Sequence, residues 1–90
     1  MAVSPRFASN FRKHFTKRIA NSPSLREKFD SRLIQFLDNP KNPLLNDHQL
    51  KGDQSGRRAF SITGDIRVIY RRTDDTVMFL DIGTHNQVYK

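Results

Sequence analysis

The sequence predicts an α+β fold: an N-terminal helical hairpin packed on one face of a small, mainly antiparallel, twisted sheet. Three observations carry this expectation. Apolar residues recur at helical spacing up to residue 37, the spacing shortens to two from residue 47 onward, and a cluster of asparagine and proline at 39–43 separates the two regimes. Ninety residues supply one core and not two, so the chain reads as a single domain, 1–90.

Each element follows in order. Ala2 to Arg6 can add a strand at the sheet edge. Phe7, Phe11, Phe15 and Ile19 recur every four residues and line one face of a first helix, with basic residues on the rest. Asn21-Ser22-Pro23 ends that helix, and Ser24 with Glu27 has the spacing of a capping box for the next. Leu25, Phe29, Leu33, Phe36 and Leu37 form the second apolar stripe, which Asn39-Pro40-Lys41-Asn42-Pro43 stops. Residues 47–51 can form a short strand. Arg58 to Ile62 alternates, Thr63-Gly64 turns, and Ile66 to Arg71 alternates again, which is a hairpin signature. After a turn at Thr73–Thr76, Val77 to Ile82 is apolar on both faces and belongs in a central or doubly covered position.

Composition bounds the function. Sixteen Lys and Arg against nine Asp and Glu give a formal charge of +7, and residues 1–20 hold five of the cations with no acid. That balance suits a polyanionic partner, nucleic acid or an acidic polypeptide, although charge also serves plain solubility. The absence of cysteine removes disulfides, thiolate metal sites and cysteine nucleophiles, and fits a cytoplasmic setting. No apolar run is long enough to span a membrane. The four glycines fall at turns and form no phosphate-cradling loop, and the three histidines are too far apart for a metal-ligand motif. No cofactor or metal is expected.

With helices on one face, the sheet leaves its other face free to display a set of polar residues to solvent: Asp47-His48 and Lys51 before the first strong strand, Arg58 within it, Asp65 and Arg67 at the next, His85 after the last, and Tyr89. These residue types suit metal-free RNA cleavage. An imidazole titrating near neutral pH serves as acid or base. Arginine donates to two phosphate oxygens at once, and an aromatic ring stacks on an unpaired base. Each also has a plainer use: His48 ordering its loop, Asp65 stabilising the turn, Tyr89 packing the terminus, His14 and Ser61 as ordinary structural residues.

Asp47-His48-Gln49-Leu50-Lys51-Gly52, Gly56-Arg57-Arg58, Gly64-Asp65-Ile66-Arg67-Val68-Ile69-Tyr70 and Gly83-Thr84-His85 together resemble the YafQ-like branch of the RelE/ParE superfamily, toxins of bacterial toxin–antitoxin modules. The resemblance is close over 47–89. It implies a RelE/ParE-like α+β toxin that cleaves messenger RNA on the translating ribosome, contacts ribosomal RNA through its basic surface, and is silenced in a hetero-oligomer with a cognate antitoxin. By the same resemblance His48, Asp65 and His85 are the catalytic positions, and Arg58, Arg67, Tyr89 and Lys51 contact RNA. One departure stands out: Ser61 occupies a strand position where the family pattern has histidine. This keeps a second reading open, in which the same fold inhibits DNA gyrase or only binds an antitoxin.

Overall fold

A computed structural model describes residues 4–89 of the chain. Strand β1 (Ser4–Phe7) leads into helix α1 (Ser9–Arg18) and helix α2 (Pro23–Asp38). A 3-10 turn (Pro43–Leu45), strand β2 (His48–Gln49) and a second 3-10 turn (Gly52–Gln54) follow. Strands β3 (Arg58–Ser61), β4 (Ile66–Thr73) and β5 (Thr76–Thr84) and a one-turn helix α3 (His85–Val88) complete the chain. The five strands run in the order β1-β5-β4-β3-β2, with β1 parallel to β5 and all other pairs antiparallel. The α+β class, the hairpin and the mixed but mainly antiparallel sheet are as the sequence predicts. The edge strand begins at Ser4; the part of that expectation at residues 2–3 lies outside the described residues.

The helices bury an aromatic core against one sheet face. Phe11, Phe29 and Phe36 meet Phe60, Val68, Tyr70, Val77 and Phe79, with Ile19, Leu45, Ile62 and Ile82 completing the cluster. Each such side chain contributes about 1.5–3 kcal/mol on burial. The ring of Phe79 contacts those of Phe7, Phe11, Phe36, Phe60 and Tyr70, with centroids between 5.2 and 6.4 Å apart. It joins β1, both long helices and the two neighbouring hairpin strands.

Strand β5 lies between β1 and β4, the central place its two apolar faces demand. A bulge explains how both faces come to be apolar. Ile69 pairs with Asp81 but Tyr70 with Phe79, so Leu80 is left unpaired and the alternation slips by one. Phe79 and Ile82 thereby both face the helices, while Leu80 joins a second cluster on the far side with Leu50, Ala59, Ile69 and Val88.

Three local expectations are corrected. Helix α2 starts at Pro23, capped by the Ser22 hydroxyl accepting from the Leu25 amide at 3.4 Å, and not by Ser24 with Glu27. Proline is pre-organised for the first helical position, where its missing N–H costs nothing. Gly83 is a buried residue within β5, not at a turn. The sheet face away from the hairpin is not left open either, since α3 and the Leu50 segment cover part of it.

Candidate active site

Strand alternation decides which residues meet. On β2, His48 pairs with Ala59 and Gln49 with Arg58. Ala59 lies in the cluster on the α3 side, so His48 faces that side too. Beside it α3 presents His85 and Tyr89, and the three line one cleft of about 420 Å³ with Gln49, Leu50, Lys51 and Gln54. Residues 37 positions apart in sequence are thus brought together by the sheet. The Nδ1 of His48 lies 3.0 Å from the Asn46 carbonyl. A carbonyl only accepts, so Nδ1 carries the proton and the neutral ring keeps its Nε2 lone pair free. Asn46 sits in the left-handed region at φ 49°, which asparagine tolerates better than most residues.

The His85 ring stands edge-on to Tyr89, centroids 4.5 Å apart at 69°. Tyr89 is half-buried with its hydroxyl enclosed and unpaired, and burial pushes its pKa up, partly offset by the charge of Arg67. Arg67 pairs with Ser61 across the hairpin and donates from Nη1 to the Ser61 hydroxyl at 2.5 Å. Where the family pattern has an imidazole, this chain places a hydroxyl that orients a guanidinium.

Sequence reasoning missed the device that holds α3 in place. The Thr84 hydroxyl accepts from the Gln87 amide at 3.3 Å, and the Gln87 side chain accepts from the Thr84 amide at 2.8 Å. The spacing of Thr84 and Gln87 was the available signal. Arg18 donates to the Ile82 carbonyl at 2.8 Å, next to Gly83, where a Cβ would stand 2.6 Å from both the Arg18 and Gln87 side-chain ends. A side chain there would push both flexible ends aside and disturb the Arg18 and Gln87 contacts. Gln54 adds a tie to the Val88 carbonyl at 3.2 Å. Replacing Thr84 by alanine removes the cap, and we expect a loss of about 1 kcal/mol in urea denaturation, with activity falling more than stability because α3 carries His85.

Arg58 and Asp65 are placed elsewhere. Arg58 pairs with Tyr70, a residue of the hairpin-side core, and so points away from the histidines. Its Nε and Nη2 each lie 2.6 Å from Oδ1 of Asp47, whose side chain is only 8% exposed. The Tyr70 hydroxyl donates to the other Asp47 oxygen. The hydrogen bond from Arg58 to Asp47 and the carboxylate charge hold Arg58 above its ordinary pKa, against the opposing effect of burial. Asp65 stands exposed on the β3–β4 turn, its amide donating to the Thr63 hydroxyl at 3.2 Å. It shares a sheet end with His85, since its neighbour Ile66 pairs with Thr84, but it does not line the cleft. His14, to which the sequence reading assigns no role in the chemistry, lies 2.5 Å from Asp81 and helps seat α1 on β5.

The Tyr70 phenol carries a signature in stability. Burial, with the Asp47 carboxylate beside it, raises its pKa well above the ordinary value. Below about pH 10 the phenol is protonated in both folded and unfolded chains and its contribution is complete. Above that the unfolded chain loses its proton first, so stability falls as pH rises. Wild type should therefore lose stability between pH 9 and 11 more steeply than Tyr70→Phe, by up to about 1.4 kcal/mol per pH unit. Urea midpoints at the two pH values measure it.

Comparison with known proteins adds the following. A family model described as the bacterial toxin of type II toxin–antitoxin systems, YafQ, matches residues 3–90. The fold is similar to YafQ from E. coli strain BL21(DE3), with TM-score 0.79 and 22% identity over 98% of this chain and 99% of that one. It is similar to a chain of the E. coli DinJ–YafQ toxin–antitoxin complex, with TM-score 0.78 and 21% identity over the full length of both. A copper-bound mutant toxin from Helicobacter pylori gives TM-score 0.74 and 26% identity over 96% of this chain and 98% of that one. A sequence search of curated proteins returned no significant match.

Proposed function

The chain belongs to the YafQ family of toxins of bacterial type II toxin–antitoxin systems, and from that premise we propose that its histidine cleft cleaves messenger RNA on the translating ribosome. The observation that carries this reading is the meeting of His48 and His85 in one cleft with Tyr89 and Lys51. The reaction needs no metal or cofactor. The 2′-oxygen bonds to phosphorus as the bond from phosphorus to the 5′-oxygen breaks. The free Nε2 of His48 takes the 2′ proton, and protonated His85 delivers a proton to the departing 5′-oxygen. Arg67, aimed by Ser61, and Lys51 stabilise charge gathering on the phosphate, and Tyr89 provides a face for a base. Asp65, at the same sheet end as His85, is the third position that the family resemblance assigns to catalysis.

A cognate antitoxin is the second partner, by analogy with the DinJ–YafQ complex. The basic face of α1, with Arg12, Lys13 and Lys17 exposed, is the surface for either ribosomal RNA or an acidic antitoxin segment, and binding there should weaken steeply with salt. The test is tightly controlled expression with mapping of messenger RNA ends, beside a DNA gyrase supercoiling assay. Cut transcripts with normal supercoiling support the nuclease; intact transcripts with blocked supercoiling overturn it in favour of gyrase inhibition, the reading that Ser61 leaves open.

A further inference from the structure

A second pocket of about 420 Å³ lies on the hairpin side of the sheet, lined by Pro40, Lys41, Asp47, Arg58, Tyr70 and Arg72. Three of these are cations and one is an anion whose oxygens are already engaged. Asp47 accepts from Arg58 and Tyr70, which locks the Arg58 guanidinium against the pocket wall. Lys41 and Arg72 are exposed, and their side chains make no hydrogen bond among the described residues. The pocket therefore holds one pre-oriented guanidinium and two uncompensated charges. That is an anion site built from a rigid donor and two mobile ones.

Its position says which anion. Asp47 and His48 are consecutive, and they face opposite sides of the sheet at β2, the edge strand at the opposite margin from β1. The histidine cleft and the cationic pocket are therefore the two sides of a single strand at the sheet margin, with no further strand to separate them. A polymer carrying one charge per nucleotide can leave the cleft, pass over the β2 edge and meet the cations directly. We propose that Lys41, Arg58 and Arg72 form a phosphate-binding subsite that grips the RNA backbone beyond the cleavage point. This rests on the RNA-cleaving reading of the histidine cleft, and it gives Arg58 an RNA contact on the opposite face from the one the sequence suggests.

The test uses a 2′-O-methyl single-stranded oligoribonucleotide, which binds without being cut, and the Lys41→Ala/Arg72→Ala double variant. Arg58 is kept, because its removal would strand the enclosed Asp47 carboxylate. The variant should melt as wild type does, since neither replaced side chain makes a bond. Its binding should be weaker, with a log affinity against log salt slope shallower by about 1.4, about 0.7 for each lost phosphate contact. An unchanged slope overturns the proposal. So does unaltered RNA binding with lost affinity for a glutamate-rich peptide, which would assign the pocket to an acidic protein segment. Messenger RNA cleavage by wild type, measured in parallel, reports separately on the histidine cleft: a shallower slope with no cleavage keeps the subsite and removes the nuclease.

Discussion

Replacing His85 by alanine should lower messenger RNA cleavage by about 10²–10⁴-fold, the range general acid catalysis supplies, while leaving a folded protein. The residue opens a one-turn helix and is exposed to solvent. Among the described residues its aromatic contact is the T-shaped one with Tyr89, worth about 1 kcal/mol. Stability should therefore move little while activity collapses. His48→Ala should act similarly, and the double variant should be no worse than the poorer single, because acid and base serve one concerted step. End-mapping of a reporter transcript in a reconstituted translation reaction reads all three. Multiplicative losses in the double variant would mean that the two imidazoles act in separate steps.

The second large effect is on the fold. Phe79→Ala should cost about 3–5 kcal/mol, the usual range for emptying a buried phenylalanine site. Phe79 is fully buried and touches the rings of five other aromatics from five different elements. Collapse around the void is resisted because each neighbour is also held by another ring: Phe11 packs on Phe29, and Phe36 on Phe60. A chain of this length has a total stability on the order of 5–13 kcal/mol, so the variant loses a large share of it. Thermal unfolding should drop by at least about 12 °C. Ile34→Ala, at a position 68% exposed, is the control and should stay within about 0.5 kcal/mol.

Much of the fold was legible because its cues are periodic. Four-residue recurrence of Phe11 and Phe15 and alternation through Phe60, Val68 and Tyr70 name the core, and these residues do pack together. Phe7, read as part of the same helix face, instead ends strand β1 and reaches the core from the sheet edge. Helix α3 was not legible, because four residues are too few to show a period. Its capping pair, Thr84 and Gln87, was the available clue. The β5 bulge at Leu80 was hidden as well, since a one-residue slip leaves no mark in a strand apolar on both faces.

The site divides in the same way. His48, His85, Lys51 and Tyr89 were named through resemblance to a family, and the sheet gathers them into one cleft. Arg58 was grouped with them through the same resemblance, which says nothing of the side it faces. Its side depends on the register of β3 against β4 and on the partner Asp47, which the pleat sends opposite to His48. Ser61 read as a missing imidazole, and its bond to Arg67 shows what the position does instead.

The central claim is that the 2′-hydroxyl of the substrate is the nucleophile and the histidine cleft manages its proton. The most direct measurement places a single 2′-deoxy nucleotide at the mapped cleavage position of a messenger RNA on the ribosome, and analyses the product ends from the unmodified control. The account predicts that the substitution abolishes cutting at that position and that control products carry 5′-hydroxyl and cyclic 2′,3′-phosphate ends. Cleavage that persists at the deoxy position, or products bearing 5′-phosphate, would contradict it.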